Sequence, residues 1–138
     1  MKEFVLDCSA TLPWVFASEA TKETHALHDV LIAGGKAWVP ALWHLELGNV
    51  LLQARRRDRI DQAGIAKFLS TLGLYDIEVD GETMTAAWSR TFALAESHDL
   101  TVYDAAYLEL TLRKGLPLAT IDESLRKAVK KTGGTLAL

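Results

Sequence analysis

Four carboxylates carry the most suggestive chemistry in this sequence: Asp7, Glu46, Asp104 and Asp122. Gathered in one pocket, they would repel one another, and one or more would hold a proton at a raised pKa. A hard divalent cation removes that cost, and an all-oxygen donor set suits Mg²⁺ or Mn²⁺. Each acid also has a plainer explanation. Thr101 and Asp104 fit a helix capping box, as do Thr120 and Glu123. Asp122 is placed to cap a helix, and Asp7 to begin a turn. Glu46 is the hardest to explain in that way, because it falls inside a helical stretch between Leu45 and Leu47. Asn49 and Gln53 share its side of that helix. This polar stripe either faces water or lines a polar pocket, with Asn49 as a hydrogen-bonding partner of the acid.

Zinc chemistry has little support. His25 and His28 are spaced for one helix face, but nothing nearby offers a third ligand, and both are expected at the surface. His44 and His98 are isolated. No glycine-rich phosphate loop, nucleophile elbow or Cys/His pair is present. Cys8 is the only cysteine, so no internal disulfide is possible. It is expected to be a small buried residue. The four tryptophans are expected as core or interface anchors. The one basic cluster is Arg55, Arg56, Arg57 and Arg59. It suits either a solvated helix C-terminus or a phosphate-contacting patch beside an acidic site.

The elements that must position these residues follow from periodicity. Short apolar runs at 3–6, 36–39 and 116–121, and an alternating one at 74–79, predict strands. Helices are predicted over 9–16, 20–33, 41–57, 61–72, 82–97, 101–114 and 122–131, with a last strand at 135–138. The helix over 41–57 is apolar around most of its circumference. Strands alternating with helices predict an α/β fold, a three-layer α/β/α sandwich around a mostly parallel sheet. Sites in such sheets form beyond the carboxyl ends of the strands, where Asp7 and Asp122 fall.

At 138 residues the chain fits one domain, residues 1–138. A net charge of −3 argues against a polycation that coats nucleic acid, without excluding a local basic patch. The first apolar run is too short for a signal peptide, and no stretch is long enough to span a bilayer. The expectation is a cytoplasmic protein without a membrane partner.

Four segments together resemble the PIN-domain ribonucleases, specifically the VapC-type toxins of toxin–antitoxin pairs. They are Phe4-Val5-Leu6-Asp7-Cys8-Ser9; Val39-Pro40 through Glu46 to Asn49-Val50-Leu51; Leu100-Thr101-Val102-Tyr103-Asp104-Ala105-Ala106-Tyr107; and Gly115-Leu116-Pro117-Leu118-Ala119-Thr120-Ile121-Asp122. Their order and spacing span essentially the whole chain.

The resemblance implies a metal-dependent endoribonuclease, a hydrolase acting as the toxin of a type II system. Asp7, Glu46, Asp104 and Asp122 would be its catalytic, metal-holding acids. Asp7 and Asp104 would be direct ligands; Glu46 and Asp122 would ligate directly or through water. Ser9 and Thr120 are implied as polar helpers, and Asp99 lies near the third segment as a further candidate. Cleavage of RNA to a 3′-hydroxyl and a 5′-phosphate is implied, as are a homodimer and a cognate antitoxin covering the acidic groove. The apolar helices around Trp43–Leu51 and Ile65–Leu72 offer surfaces for that antitoxin.

Two other readings use the same pocket. A receiver-like signalling domain also has an acidic Mg²⁺ site, but needs an acid at an interior strand end where this chain has Val39-Pro40-Ala41. A catalytically silent PIN-like interaction module would not need all four acids.

Overall fold

A computed structural model describes residues 1–138. β1 (Glu3–Leu6) is buried beyond its first residue, as an apolar run inside a parallel sheet must be. A short helix α1 (Cys8–Thr11) follows, then a 3₁₀ turn over Leu12–Trp14 that accommodates Pro13 near its start. A second 3₁₀ turn at Ala17–Glu19 leads to α2 (Lys22–Ile32), held by a Thr21–Thr24 capping box. β2 (Lys36–Val39) comes next, then α3 (Trp43–Arg56), α4 (Gln62–Leu72) and β3 (Asp76–Val79). Asp61 caps α4 through the Gly64 N–H at 2.7 Å.

The helix predicted over 82–97 is two helices, α5 (Thr83–Ala86) and α6 (Arg90–His98), parted by non-helical Ser89. The buried residues explain the break. α5 buries Thr83 and Ala86; α6 buries Thr91 and Ala95. In one continuous helix Thr91 would lie roughly 140° around from Ala86, on the wrong face. Trp88, in the break, is 94% exposed and anchors no core.

α7 (Val102–Lys114) runs from the Thr101 cap to Gly115, whose positive φ of 64° ends it. Every residue from Ala105 to Thr111 is buried, so it is a central helix rather than an amphipathic cover. β4 (Leu118–Ala119) is only two residues long, shorter than the predicted 116–121 run. The 135–138 segment contributes a single parallel bridge, Leu118 to Leu136, rather than a strand. α8 (Glu123–Lys131) is capped by Asp122, whose Oδ2 accepts from the Leu125 N–H at 2.9 Å.

The sheet order is β3-β2-β1-β4, with every pairing parallel. Helices flank it in the expected three-layer α/β/α arrangement, and the core joins Phe4, Val5 and Leu6 to Leu47, Leu51, Leu108, Leu110 and Leu125. Because β2 lies on one side of β1 and β4 on the other, the order reverses between β1 and β4, which is where an open parallel sheet forms its crevice. α3 is less buried than its composition suggested. It buries one stripe, Trp43, Leu47, Leu51 and Ala54, while Leu45 is 79% exposed.

Candidate metal centre

Asp7 follows β1 directly, and Thr120 follows β4 directly. The register Leu6 to Ala119 sets the two side by side. Asp7 is 6% exposed. Its Oδ2 accepts from Ser9 Oγ at 2.6 Å and from Thr120 Oγ1 at 2.7 Å. Ser9 Oγ in turn accepts from the Ile121 N–H, and Thr120 Oγ1 from the Asp122 N–H, each at 3.1 Å. The loop that delivers Asp122 is therefore stitched to the Asp7 loop by hydroxyls. Asp122 remains half-buried while it caps α8.

Glu46 lies in the first turn of α3 and accepts a short hydrogen bond from the Tyr107 hydroxyl of α7. Asn49 is exposed and makes no hydrogen bond to Glu46, because the acid turns inward toward α7 instead. Asp104 lies in the first turn of α7, where its own N–H donates to Thr101 Oγ1 at 3.0 Å. Asp104 thus takes part in capping and also faces the other acids.

The acids feel one another. Burial pushes the Asp7 carboxyl above its ordinary range, and the Asp122 charge adds to this against the Ser9 and Thr120 hydrogen bonds. Burial likewise raises Glu46, with repulsion from Asp7 and Asp104 set against the Tyr107 hydrogen bond. Asp104 is raised by burial and then by Asp122 and Asp7, with Thr101 opposing. The Cys8 thiol, buried beside Asp7 and Glu46, is pushed up to about 12 and stays protonated.

The donor set fits a hard divalent cation, since carboxylate and hydroxyl oxygens are what Mg²⁺ and Mn²⁺ select. The geometry is open rather than closed: no three His, Cys, Asp or Glu side chains stand within mutual ligand distance. Repulsion acts over a longer range than ligation, so four acids can be electrostatic neighbours without forming a cage.

The remaining residues divide clearly. Asp99 is exposed and ends α6 in the left-handed conformation. Arg59 pairs with Glu19 at 3.0 Å and lies 4.3 Å from the Phe16 ring centre. Arg55 reaches Gln62 at 3.4 Å; Arg56 and Arg57 are exposed. Ten residues of helix separate Glu46 from Arg56, roughly 15 Å along the axis, so the basic cluster is not adjacent to the acids. His28 is half-buried rather than superficial, stacked on Trp14 at 4.8 Å and hydrogen-bonded to the Tyr75 hydroxyl at 2.8 Å. A concavity of about 730 Å³ opens at the opposite ends of the strands, beside Glu3, Lys36 and Asp76, away from the four candidate acids.

Two contacts went unread in the sequence. Tyr107 was visible only as part of a motif; its spacing of three from Asp104 was the available signal. The second is an ion network on the far half of α7. Arg113 donates to Glu109 at 2.8 Å, to Asp80 at 2.6 Å and to Glu82 at 3.1 Å. Asp80 and Glu109 are 5% and 4% exposed. Burial alone would raise Asp80, but the Arg113, Glu82 and Thr83 hydrogen bonds outweigh it and hold the carboxyl below its usual range. Glu109 and Asp80 together drive the Arg113 guanidinium further up.

A groove of about 390 Å³ runs between α3 and α4, lined by Trp43, Leu47, Gly48, Leu69, Leu72 and Ile77. No helix is long and apolar enough to cross a membrane.

No family model matches the chain, and no curated protein does. Among solved structures it is similar to the crystal structure of PAE2754 from Pyrobaculum aerophilum, at a TM-score of 0.70 and 24% identity. That match covers 97% of this chain and 87% of the other. It is also similar to a toxin–antitoxin complex from Klebsiella pneumoniae, at a TM-score of 0.56 and 16% identity over 86% of each chain. At these identities the likeness establishes the α/β/α fold.

Proposed function

We propose that this chain is a metal-dependent endoribonuclease of the PIN type, acting as the toxin of a type II toxin–antitoxin pair. The observation that supports the proposal is that Asp7, Glu46 and Asp104, brought near one another by β1, α3 and α7, are each raised first by burial and further by the charge of a neighbouring acid, with Asp122 acting on Asp7 and Asp104. Keeping carboxylates together without a cation is costly unless something else supplies positive charge. The same helix, α7, answers two other buried acids with Arg113. At the crevice the partners are neutral hydroxyls.

Asp7 and Asp104 are proposed to hold Mg²⁺ or Mn²⁺ directly, with Glu46 and Asp122 binding directly or through water. A cation bound there supplies a water of lowered pKa and neutralises charge on a phosphodiester. Ser9 and Thr120 fix the Asp7 carboxylate, and Glu46 or Asp122 is suited to accept the water's proton. The toxin role draws support from the Klebsiella pneumoniae likeness, and the α3/α4 groove suits an apolar segment of an antitoxin. A homodimer and a cytoplasmic location belong to the same proposal.

A second reading, a catalytically silent interaction module, is favoured by the open spacing of the acids. A receiver-like role has less support, because β2 ends in Val39 with no acid. Cleavage of a defined RNA by purified protein with Mg²⁺ or Mn²⁺ separates these readings. The wild type is expected to cut and Asp7→Asn and Asp104→Asn to lose roughly 100-fold or more, the scale on which removing one preorganised electrostatic group slows catalysis. Undiminished cutting by both variants overturns the site assignment, and no cutting by the wild type favours the silent module.

A further inference from the structure

We propose that Tyr107 is a positioning residue that aims Glu46 into the metal centre while leaving its negative charge intact. This rests on the metal-nuclease reading above.

Tyr107 is completely buried in the middle of α7. A buried phenol needs a hydrogen-bond partner, and this one donates to Glu46 Oε1 across 61 positions of sequence. Glu46 is far enough into α3 that it serves no cap, and Oε1 is its bonded oxygen, so Oε2 is free for another ligand. Tyr107 lies three residues after Asp104, and both project from one side of α7. One helix therefore supplies an acid and the clamp for a second acid on another helix.

The choice of a phenol is informative. Arginine holds a carboxylate more strongly, and the chain uses Arg113 in that way on Asp80 and Glu109. A guanidinium, however, cancels the charge it orients. A neutral hydroxyl orients the acid and leaves a full negative charge for a cation. Asp7 is treated alike, by Ser9 and Thr120. The Arg113 network adds rigidity, since it pins the far half of α7 and so fixes where the Tyr107 ring sits. Partners of this kind around metal ligands are commonly worth about 10- to 100-fold in metal affinity or activity.

The test compares the wild type with Tyr107→Phe, Glu46→Gln, the double variant and Asp104→Asn. Mn²⁺ binding is titrated by electron paramagnetic resonance, folding is checked by melting without metal, and kcat and KM are measured on RNA. Tyr107→Phe is expected to melt cooperatively, to bind Mn²⁺ roughly 10- to 100-fold more weakly and to lower kcat more than it raises KM. In the Glu46→Gln background it is expected to add little, since the two residues act as a pair. Wild-type Mn²⁺ affinity and kcat in Tyr107→Phe, beside an impaired Glu46→Gln, overturn the inference alone. Full additivity of the two changes overturns it as well. Wild-type Mn²⁺ binding by Asp104→Asn overturns the metal reading beneath it. Should Tyr107→Phe fail to fold, the wild-type Tyr107 hydroxyl proton carries the test by nuclear magnetic resonance. It is expected to shift on addition of Mg²⁺, and an unmoved resonance overturns the proposal.

Discussion

Thr120 Oγ1 donates to Asp7 Oδ2 at 2.7 Å, joining residues 113 positions apart at the ends of two neighbouring strands. Both residues are buried. Thr120→Val keeps the branched shape and removes the donor, leaving a buried carboxylate with one hydroxyl partner fewer. A loss of about 1–3 kcal/mol is expected in urea unfolding of the metal-free protein. Thr120→Ser should recover most of it. Equal stability of the wild type and the valine variant would show that Ser9 alone satisfies Asp7.

The raised carboxyls give stability a definite pH dependence. Asp7, Glu46 and Asp104 have folded pKa values above their ordinary 3.8, 4.5 and 3.8. In that window the folded state binds more protons than the unfolded state, so stability falls as pH rises through it. Asp80, held below its ordinary 3.8, acts oppositely, and its contribution is lost as pH falls through its folded pKa. Metal-free protein should therefore lose stability as pH rises from about 4 toward neutrality. Asp104→Asn should flatten that decline. A stability that climbs steadily from pH 4 to 7 would contradict the electrostatic picture of the site.

Divalent metal should reverse the repulsion. Melting with and without Mn²⁺ is expected to show a clear rise for the wild type and a much smaller one for Asp104→Asn. Equal shifts in the two would reduce Asp104 to a helix cap.

Arg113 is the expected weak point of the scaffold. Replacing it by Met leaves Asp80 buried without a cation and Glu109 with only half-exposed Arg90 at 3.2 Å, a change worth about 3–5 kcal/mol. Denaturant midpoints measure it. A loss below about 1 kcal/mol would mean that the network behaves like a surface ion pair.

Under the proposed nuclease function, the exposed pair Arg56 and Arg57 would serve RNA binding rather than chemistry. Each change to Ala should weaken binding uniformly across sequences and lower the salt slope by roughly 1. Unchanged binding would leave them as cations that complement the end of α3.

What could be read in the sequence was mostly local. The apolar run of β1, the Asp61, Thr101 and Asp122 caps and the Gly115 stop lie where their residue types require. Signals that depend on a distant partner did not show. The break at Ser89 goes with α5 and α6 each burying its own face, both of them packing on α7, which lies later in the chain. β4 is short because only Leu118 and Ala119 have partners in β1, and Pro117 has no N–H to extend the ladder. Glu46 stood out as an acid without a capping role, yet its partner, Tyr107, lies 61 residues away. Asn49, close in sequence, is not that partner.

The position of β4 also bears on timing. It lies beside β1, and the residues just after it, Thr120 and Asp122, complete what Asp7 begins. A chain emerging from the ribosome has Asp7 and Glu46 long before it has these two. Until β4 docks, Asp7 lacks one of its two hydroxyl partners and the crevice has one wall. The acidic site therefore cannot close until the β4 segment has been made and docked beside β1.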